Sequence, residues 1–305
     1  MMRYKFLRYP GGKSKAVTFS YDDGVKQDVR FAETLTKYGL KGTFNFNSFT
    51  MRGEHGISPE DAKRVILDKG HEIAVHGYNH RAEGTLRPIE GIREIVDNRL
   101  ELEKIFGMII RGMAYPDSGI TYFANGASYA DVKRYLTDLD ICYSRTLGSD
   151  NNSFTLPSDW LAWMPTCHHN NPKVLEWIDE FINLDTSTKS YCARRQPRLF
   201  YIWGHSYEFE NNKNNPELGW TMIEGVMQKL SAEKDIWKAT NGDVYRYVEA
   251  TKLVEVTEMS VKNNSDMTVY YNINGQNVEI APGATFTIGK NQINISITGS
   301  FSACY

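Results

Sequence analysis

With 305 residues, 41% hydrophobic and 24% charged, the chain has the composition of a folded protein, long enough for one large domain and a small one. Its formal net charge of −2 offers no field to draw nucleic acid or an anionic membrane, so neither is expected as a partner. No apolar run approaches the roughly 18 residues of a membrane span, and residues 1–10 lack a signal-like apolar core, so a cytoplasmic protein is expected.

The first predicted strand is residues 16–21. A helical stripe follows (Val29, Phe31, Ala32, Leu35, Tyr38), with Gly39 where a helix would end. Residues 43–46 read as the next strand. Ser58 and Pro59 then stand as N-cap and first residue of a helix running to about 68, with Asp61 at its third position. Residues 72–75 form a third strand that ends directly at His76. A long helix is predicted over 88–106, where Ile89, Ile92, Ile95, Val96, Leu100 and Ile105 share one face.

Strands at 108–115 and 141–144 flank a helix at 128–139. A helix at 173–184, a strong strand at 198–203 and a helix at about 216–230 complete the alternation. Strands alternating with helices imply parallel pairing and right-handed crossovers. The predicted fold is α/β, a (β/α) barrel with one unit missing or distorted, over residues 1–250. Beyond about residue 252 the period changes to 2, over 253–261, 268–273, 277–280, 285–288 and 291–297, with Asn274-Gly275 and Pro282-Gly283 as turns. Residues 251–305 therefore read as a small antiparallel β unit docked on the barrel. Cys142, Cys167, Cys192 and Cys304 show no metal-type spacing and are read as free thiols.

Chemistry concentrates at predicted strand ends. Tyr21-Asp22-Asp23-Gly24 closes the first strand, and His76-Gly77-Tyr78-Asn79-His80 follows the third. Asp-Asp-Gly also makes a good turn, and two histidines four apart also suit a solvent-facing helix. Gly77 and Asn79 argue against that helix. Two imidazoles and one carboxylate suffice for a hydrolytic zinc-type ion, and the remaining carboxylate is then free to act as a base. His205 ends a late strand, and His168-His169 could line a pocket mouth. Trp160, Trp163, Trp203, Tyr207 and Trp220 fall near the same end and could stack on sugar rings or simply pack the barrel.

Taken in order, these residues resemble the polysaccharide deacetylases with the NodB-type domain, carbohydrate esterase family 4. The family's T-F-D-D-G stands here as Thr18-Phe19-Ser20-Tyr21-Asp22-Asp23-Gly24, and its H-[ST]-x-x-H as His76-Gly77-Tyr78-Asn79-His80. The resemblance spans roughly residues 14–230 and implies a distorted NodB-like (β/α) barrel of seven or eight units. It implies Asp22 as general base, Asp23, His76 and His80 as ligands of one divalent ion (zinc before others), and His205 as general acid. Tyr115 would supply an oxyanion N–H. Arg111 matches the family arginine that orients the base, although it precedes Tyr115 by four residues rather than three. Asp159, in Ser158-Asp159-Trp160, would pair with the catalytic histidine, and Trp203 would support the site.

The implied activity is metal-dependent removal of N- or O-acetyl groups from a sugar or polysaccharide. Two alternatives stay open from sequence: hydrolysis of another small amide or C–N bond on the same scaffold, and an inactive carbohydrate-binding protein.

Overall fold

The computed structural model describes residues 1–2, 4–148, 154–186, 196–211 and 218–289. Its strands and helices in chain order are β1 (Lys5–Arg8), β2 (Lys15–Asp23), α1 (Asp28–Lys37), β3 (Gly42–Phe46), α2 (Ser48–Arg52), α3 (Pro59–Val65), β4 (Glu72–Val75), α4 (Pro88–Phe106), β5 (Gly112–Ala114), α5 (Tyr129–Asp138), β6 (Tyr143–Arg145), β7 (Cys167–His168), α6 (Val174–Asn183), β8 (Arg198–Gly204), α7 (Glu208–Asn211), α8 (Trp220–Ala232), β9 (Ile236–Lys238) and α9 (Asn241–Lys252). Strands β10 (Val254–Val256), β11 (Ser260–Asn263), β12 (Val269–Ile273), β13 (Gln276–Ile280) and β14 (Thr285–Thr287) follow.

One parallel sheet runs in the order β6-β5-β4-β3-β2-β8-β7. Strand β2 is its axis. Residues 15–21 pair with β8 along one edge, while the other edge takes β9 at residues 15–17 and β3 at residues 19–23. An isolated parallel bridge between Arg145 and Trp163 ties the edge strand β6 to the segment entering β7. The sheet thus curls into a distorted (β/α) barrel, as predicted. Six of nine residues of β2 are apolar, hydroxyl-bearing or aromatic side chains buried on both faces, as a central parallel strand requires. Phe19, Phe31, Phe44, Ile73, Phe200 and Ile202 lie in the main core between sheet and helices.

The caps read from the sequence form. Ser58 Oγ accepts from the Asp61 N–H at 3.0 Å, and Pro59 opens α3. Several boundaries differ. The strand expected over 108–115 is only Gly112–Ala114, because α4 ends at left-handed Gly107 and Ile109 is exposed. The strand expected over 141–144 is Tyr143–Arg145. The start of the helix expected at 216 falls outside the described residues, and α8 is seen from Trp220.

Strand β1 was not predicted, and it pairs antiparallel with β12 in a three-stranded sheet β1-β12-β13. A second sheet, β10-β11-β14, packs with it around Val261, Val269, Tyr271, Ile273, Val278 and Ile280. Asn274 and Gly275 both carry positive φ, which gives the tight β12–β13 hairpin its turn. The strand expected at 291–297 lies outside the described residues. Tyr247 on α9 fastens this unit to the barrel, its hydroxyl accepting the Tyr270 N–H at 2.9 Å.

Candidate active site

The parallel sheet delivers the C-terminal ends of β2, β4, β6, β7 and β8 to one face. Asp22 and Asp23 end β2, and Asp23 sits at φ 84, a costly conformation for a non-glycine residue and one that recurs at functional sites. His76 directly follows β4. Its N–H donates to the Phe46 carbonyl at 3.1 Å, and its Nδ1 lies 2.9 Å from the Ala114 carbonyl. A carbonyl only accepts, so the proton is on Nδ1 and the Nε2 lone pair is left to face the site.

Gly77 at φ 78 and His80 at φ 58 fold the intervening loop back, placing the two imidazole centroids 4.9 Å apart. Buried Glu94 on α4 pins this loop, accepting from the Asn79 N–H at 2.7 Å and from Asn79 Nδ2 at 3.0 Å.

Asp23 Oδ1 lies 3.7 Å from His76 Nε2 and 3.4 Å from His80 Nε2. Asn47 Nδ2 donates to the same oxygen at 2.9 Å. Of the two carboxylates, Asp23 thus joins the imidazoles, and the three ligand atoms converge as one tetrahedral ion would require. These donors fit a zinc-type ion.

Asp22 is fully buried, with Oδ2 3.8 Å from His76 Nε2. Oδ1 accepts from Asn45 Nδ2 at 2.8 Å, and Oδ2 pairs with Arg145 Nη2. Burial pushes the Asp22 carboxyl up, but Arg145, His76, His205 and the Asn45 hydrogen bond outweigh it and hold it below its ordinary value. It stands ionised against the pocket.

The arginine beside Asp22 is therefore Arg145, not Arg111. Arg111 lies before β5 on the surface and pairs with Asp140. Arg145 ends β6, fully buried, with its guanidinium 4.2 Å over the Trp203 ring. Its sequence signal was available: it directly follows a predicted strand, at the barrel end where Asp22 and His76 lie.

His205 follows β8, with Nε2 3.9 Å from Asp23 Oδ2 and Nδ1 3.3 Å from Glu208 Oε2. Burial lowers its proton affinity, yet the Glu208 hydrogen bond and the charges of Asp22 and Asp23 raise it further, for a net upward shift. Glu208, three residues on, also accepts the His205 N–H at 3.1 Å. It fills the place expected of Asp159, which instead caps the short turn at Trp160–Ala162 and pairs with Lys133 and Tyr129.

Tyr115 does not offer its N–H to the pocket. That N–H is given to the Arg145 carbonyl at 3.0 Å, continuing the β5–β6 ladder, and its hydroxyl donates to the Leu161 carbonyl at 2.8 Å. Among the aromatic candidates, Trp203 is buried beneath Arg145, Trp160 and Trp163 pack in a core cluster with Tyr201 and Tyr245, and Trp220 packs on Phe209. Tyr207 stays half-exposed beside His205, centroids 5.2 Å apart.

Residues 4–133 match the family model for polysaccharide deacetylase. This segment, less than half of the chain, is similar to the polysaccharide deacetylase family. It carries β2 through β5, and with them Asp22, Asp23, His76 and His80. The fold of the longer chain agrees. A Mycobacterium smegmatis crystal structure assigned to the polysaccharide deacetylases superposes with a TM-score of 0.55 at 17% identity, covering 84% of this chain and 98% of that one. Peptidoglycan deacetylase PdaC from Bacillus subtilis gives a TM-score of 0.48 at 18% identity (80% and 97% covered). A Clostridium thermocellum family 4 acetyl xylan esterase, solved with a cobalt ion, gives 0.46 at 14% (76% and 90%). No curated protein matches the sequence. No helix among the described residues is long and apolar enough to cross a membrane.

Proposed function

We propose that this chain is a metal-dependent hydrolase that removes acetyl groups from a carbohydrate. The observation that carries the reading is the pairing at one barrel end of two unlike carboxylates: Asp23, grouped with His76 and His80, and Asp22, buried and ionised against Arg145. A divalent ion held by Asp23, His76 and His80 would acidify a water and polarise the acyl carbonyl.

The chain's own residues supply the proton handling. Asp22 accepts the proton at a carboxylate oxygen, and Arg145 and Asn45 hold that carboxylate in place. His205 is the proton donor in this scheme, and in the metal-free chain Glu208 and the two aspartates shift it towards its charged form. It gives that proton from Nε2 to the departing amine or alcohol, while Nδ1–H stays on Glu208. Glu208 is thus a positioning residue in this scheme. Tyr207 and the exposed Phe49 on α2, which follows β3 at the same barrel end, offer faces for a sugar ring.

The test is acetate release from a panel of N- and O-acetylated sugars and small amides, with and without chelator. Asp22→Asn should keep bound zinc and lose turnover by a factor of roughly 10²–10⁴. His80→Ala should lose the zinc. Chelator-insensitive release, or full turnover by Asp22→Asn, would overturn the reading. Release from small amides alone would move the substrate class and leave the mechanism standing.

A further inference from the structure

A second group of metal-type donors lies beside the first; it shares Glu208 with the scheme above, and its two histidines are used by nothing there. His168 ends β7, His169 follows it, and Glu208 opens α7. Their ligand atoms all lie within 4.8 Å of one another. Glu208 Oε2 is 3.2 Å from Nε2 of each ring. Two ligands at about 2.1 Å on a tetrahedral ion stand about 3.4 Å apart, so this spacing suits a shared cation.

A second observation points the same way. His169 Nε2 is fully buried and has no hydrogen-bond partner, although Glu208 is so near: the ring is close to the carboxylate but not aimed along an N–H···O line. An unsatisfied buried ring nitrogen is costly unless something occupies its lone pair. Its other nitrogen, Nδ1, is 3.2 Å from Tyr21 Oη, and the ring stacks within 5° of the Tyr21 plane. A proton on Nδ1 shared with Tyr21 leaves Nε2 free to ligate, the support that metal-binding histidines usually have.

We propose that His168 Nε2, His169 Nε2 and a Glu208 carboxylate oxygen form a second divalent-cation site, across the His205 ring from the Asp23, His76 and His80 group. Two imidazoles and one carboxylate select zinc or a similar ion over magnesium or calcium. His205 stays outside the ligand set; its backbone N–H and its ring Nδ1 face Glu208 Oε2 at 3.1 and 3.3 Å, which leaves the other carboxylate oxygen to share the cation. The site is the weaker of the two. His168 Nδ1 accepts the Asn170 N–H at 3.1 Å, so without a cation the neutral ring carries its proton on Nε2 and gives it to Glu208. Loading moves that proton to Nδ1 and gives up the Asn170 contact. The proposal does not rest on the deacetylase reading.

The test is stoichiometry on the full chain. Protein stripped with chelator is titrated with Zn²⁺ against a chromophoric competitor, and with Co²⁺ while its visible absorption is followed. The wild type should take up two equivalents, one tight and one weaker. His169→Phe, which keeps the ring stack, and Glu208→Gln should each lose the weaker equivalent only. His80→Ala should lose the tight one and keep the other, a result that holds whether or not any acetyl substrate is turned over. Circular dichroism establishes that each variant is folded, and Glu208→Gln carries the test if His169→Phe is not. One equivalent in the wild type, or two in both folded variants, would show that these residues form a hydrogen-bonded network only and overturn the proposal.

Discussion

Replacing Arg145 by methionine tests the electrostatic core of the site. Met fills much of the same volume over Trp203 but leaves the buried Asp22 carboxylate with the Asn45 Nδ2 hydrogen bond at 2.8 Å in place of an ion pair. Removing one partner of a buried pair typically costs about 3–5 kcal/mol, because the other charge stays desolvated. The Asn45 hydrogen bond that remains puts the expectation near the lower end, about 3 kcal/mol. Urea unfolding at pH 7 measures it. Arg111→Met, which breaks only the exposed pair with Asp140, should cost no more than about 1 kcal/mol.

A double variant with Asp22→Asn isolates the interaction: it should cost well under the sum of the two single changes. The Asp22 carboxyl is held below its ordinary value, so its stabilising contribution is present above the unfolded value of about 3.9 and is lost as pH falls through the folded one. Without Arg145 the folded carboxyl takes up its proton at higher pH than in the wild type, so the gap between wild type and Arg145→Met should narrow as pH falls. Additive costs, or a loss as small as that of Arg111→Met, would refute the assignment of Arg145 as the partner of Asp22.

Three further outcomes follow from the geometry. Glu94→Ala frees the Asn79 loop that carries His80 and should weaken zinc binding about 10–100-fold in a competition titration, with little change in the folded spectrum. Asp159→Ala removes a turn cap and the Lys133 pair, so thermal unfolding should show a loss of about 1 kcal/mol while turnover stays at the wild-type level. Asp28, buried beneath Ser206 and the Val25 N–H, has its carboxyl pushed up to about 8 by burial, with Asp23 and Asp22 adding to the shift. The folded state then binds more protons than the unfolded one between about pH 4 and 8, so this group makes stability fall with rising pH across that window. Asp28→Asn should flatten that decline in metal-free protein, measured by urea unfolding at pH 5 and pH 8.

What the sequence made legible follows the range of the physics involved. Strand and helix order came through because the periods of 2 and 3.6 are local. The Asp22-Asp23 and His76/His80 segments came through because each places its donors within five residues. The role of Arg145 was harder to read for the opposite reason, although its place at a strand end was on view. Nothing near it in sequence names Asp22, and the pairing exists only because β2, β3, β4, β5 and β6 lie side by side in that order and bring both strand ends to one face. The family position pointed to Arg111, yet the short β5 leaves that residue outside the barrel, so the positive charge reaches Asp22 from the next strand instead. Glu208 was nearer to hand. It lies three residues beyond His205, the spacing at which a turn brings a carboxylate back to the imidazole and its own N–H, and that turn forms here as the first step of α7. Tyr115 failed for a backbone reason no side-chain motif records: a parallel ladder that runs one residue past β5 takes its N–H for Arg145. The same Arg145 thus supplies a carbonyl to one strand and a guanidinium to Asp22, so the register of β6 against β5 decides both which donor is withdrawn from the pocket and which charge is delivered to it.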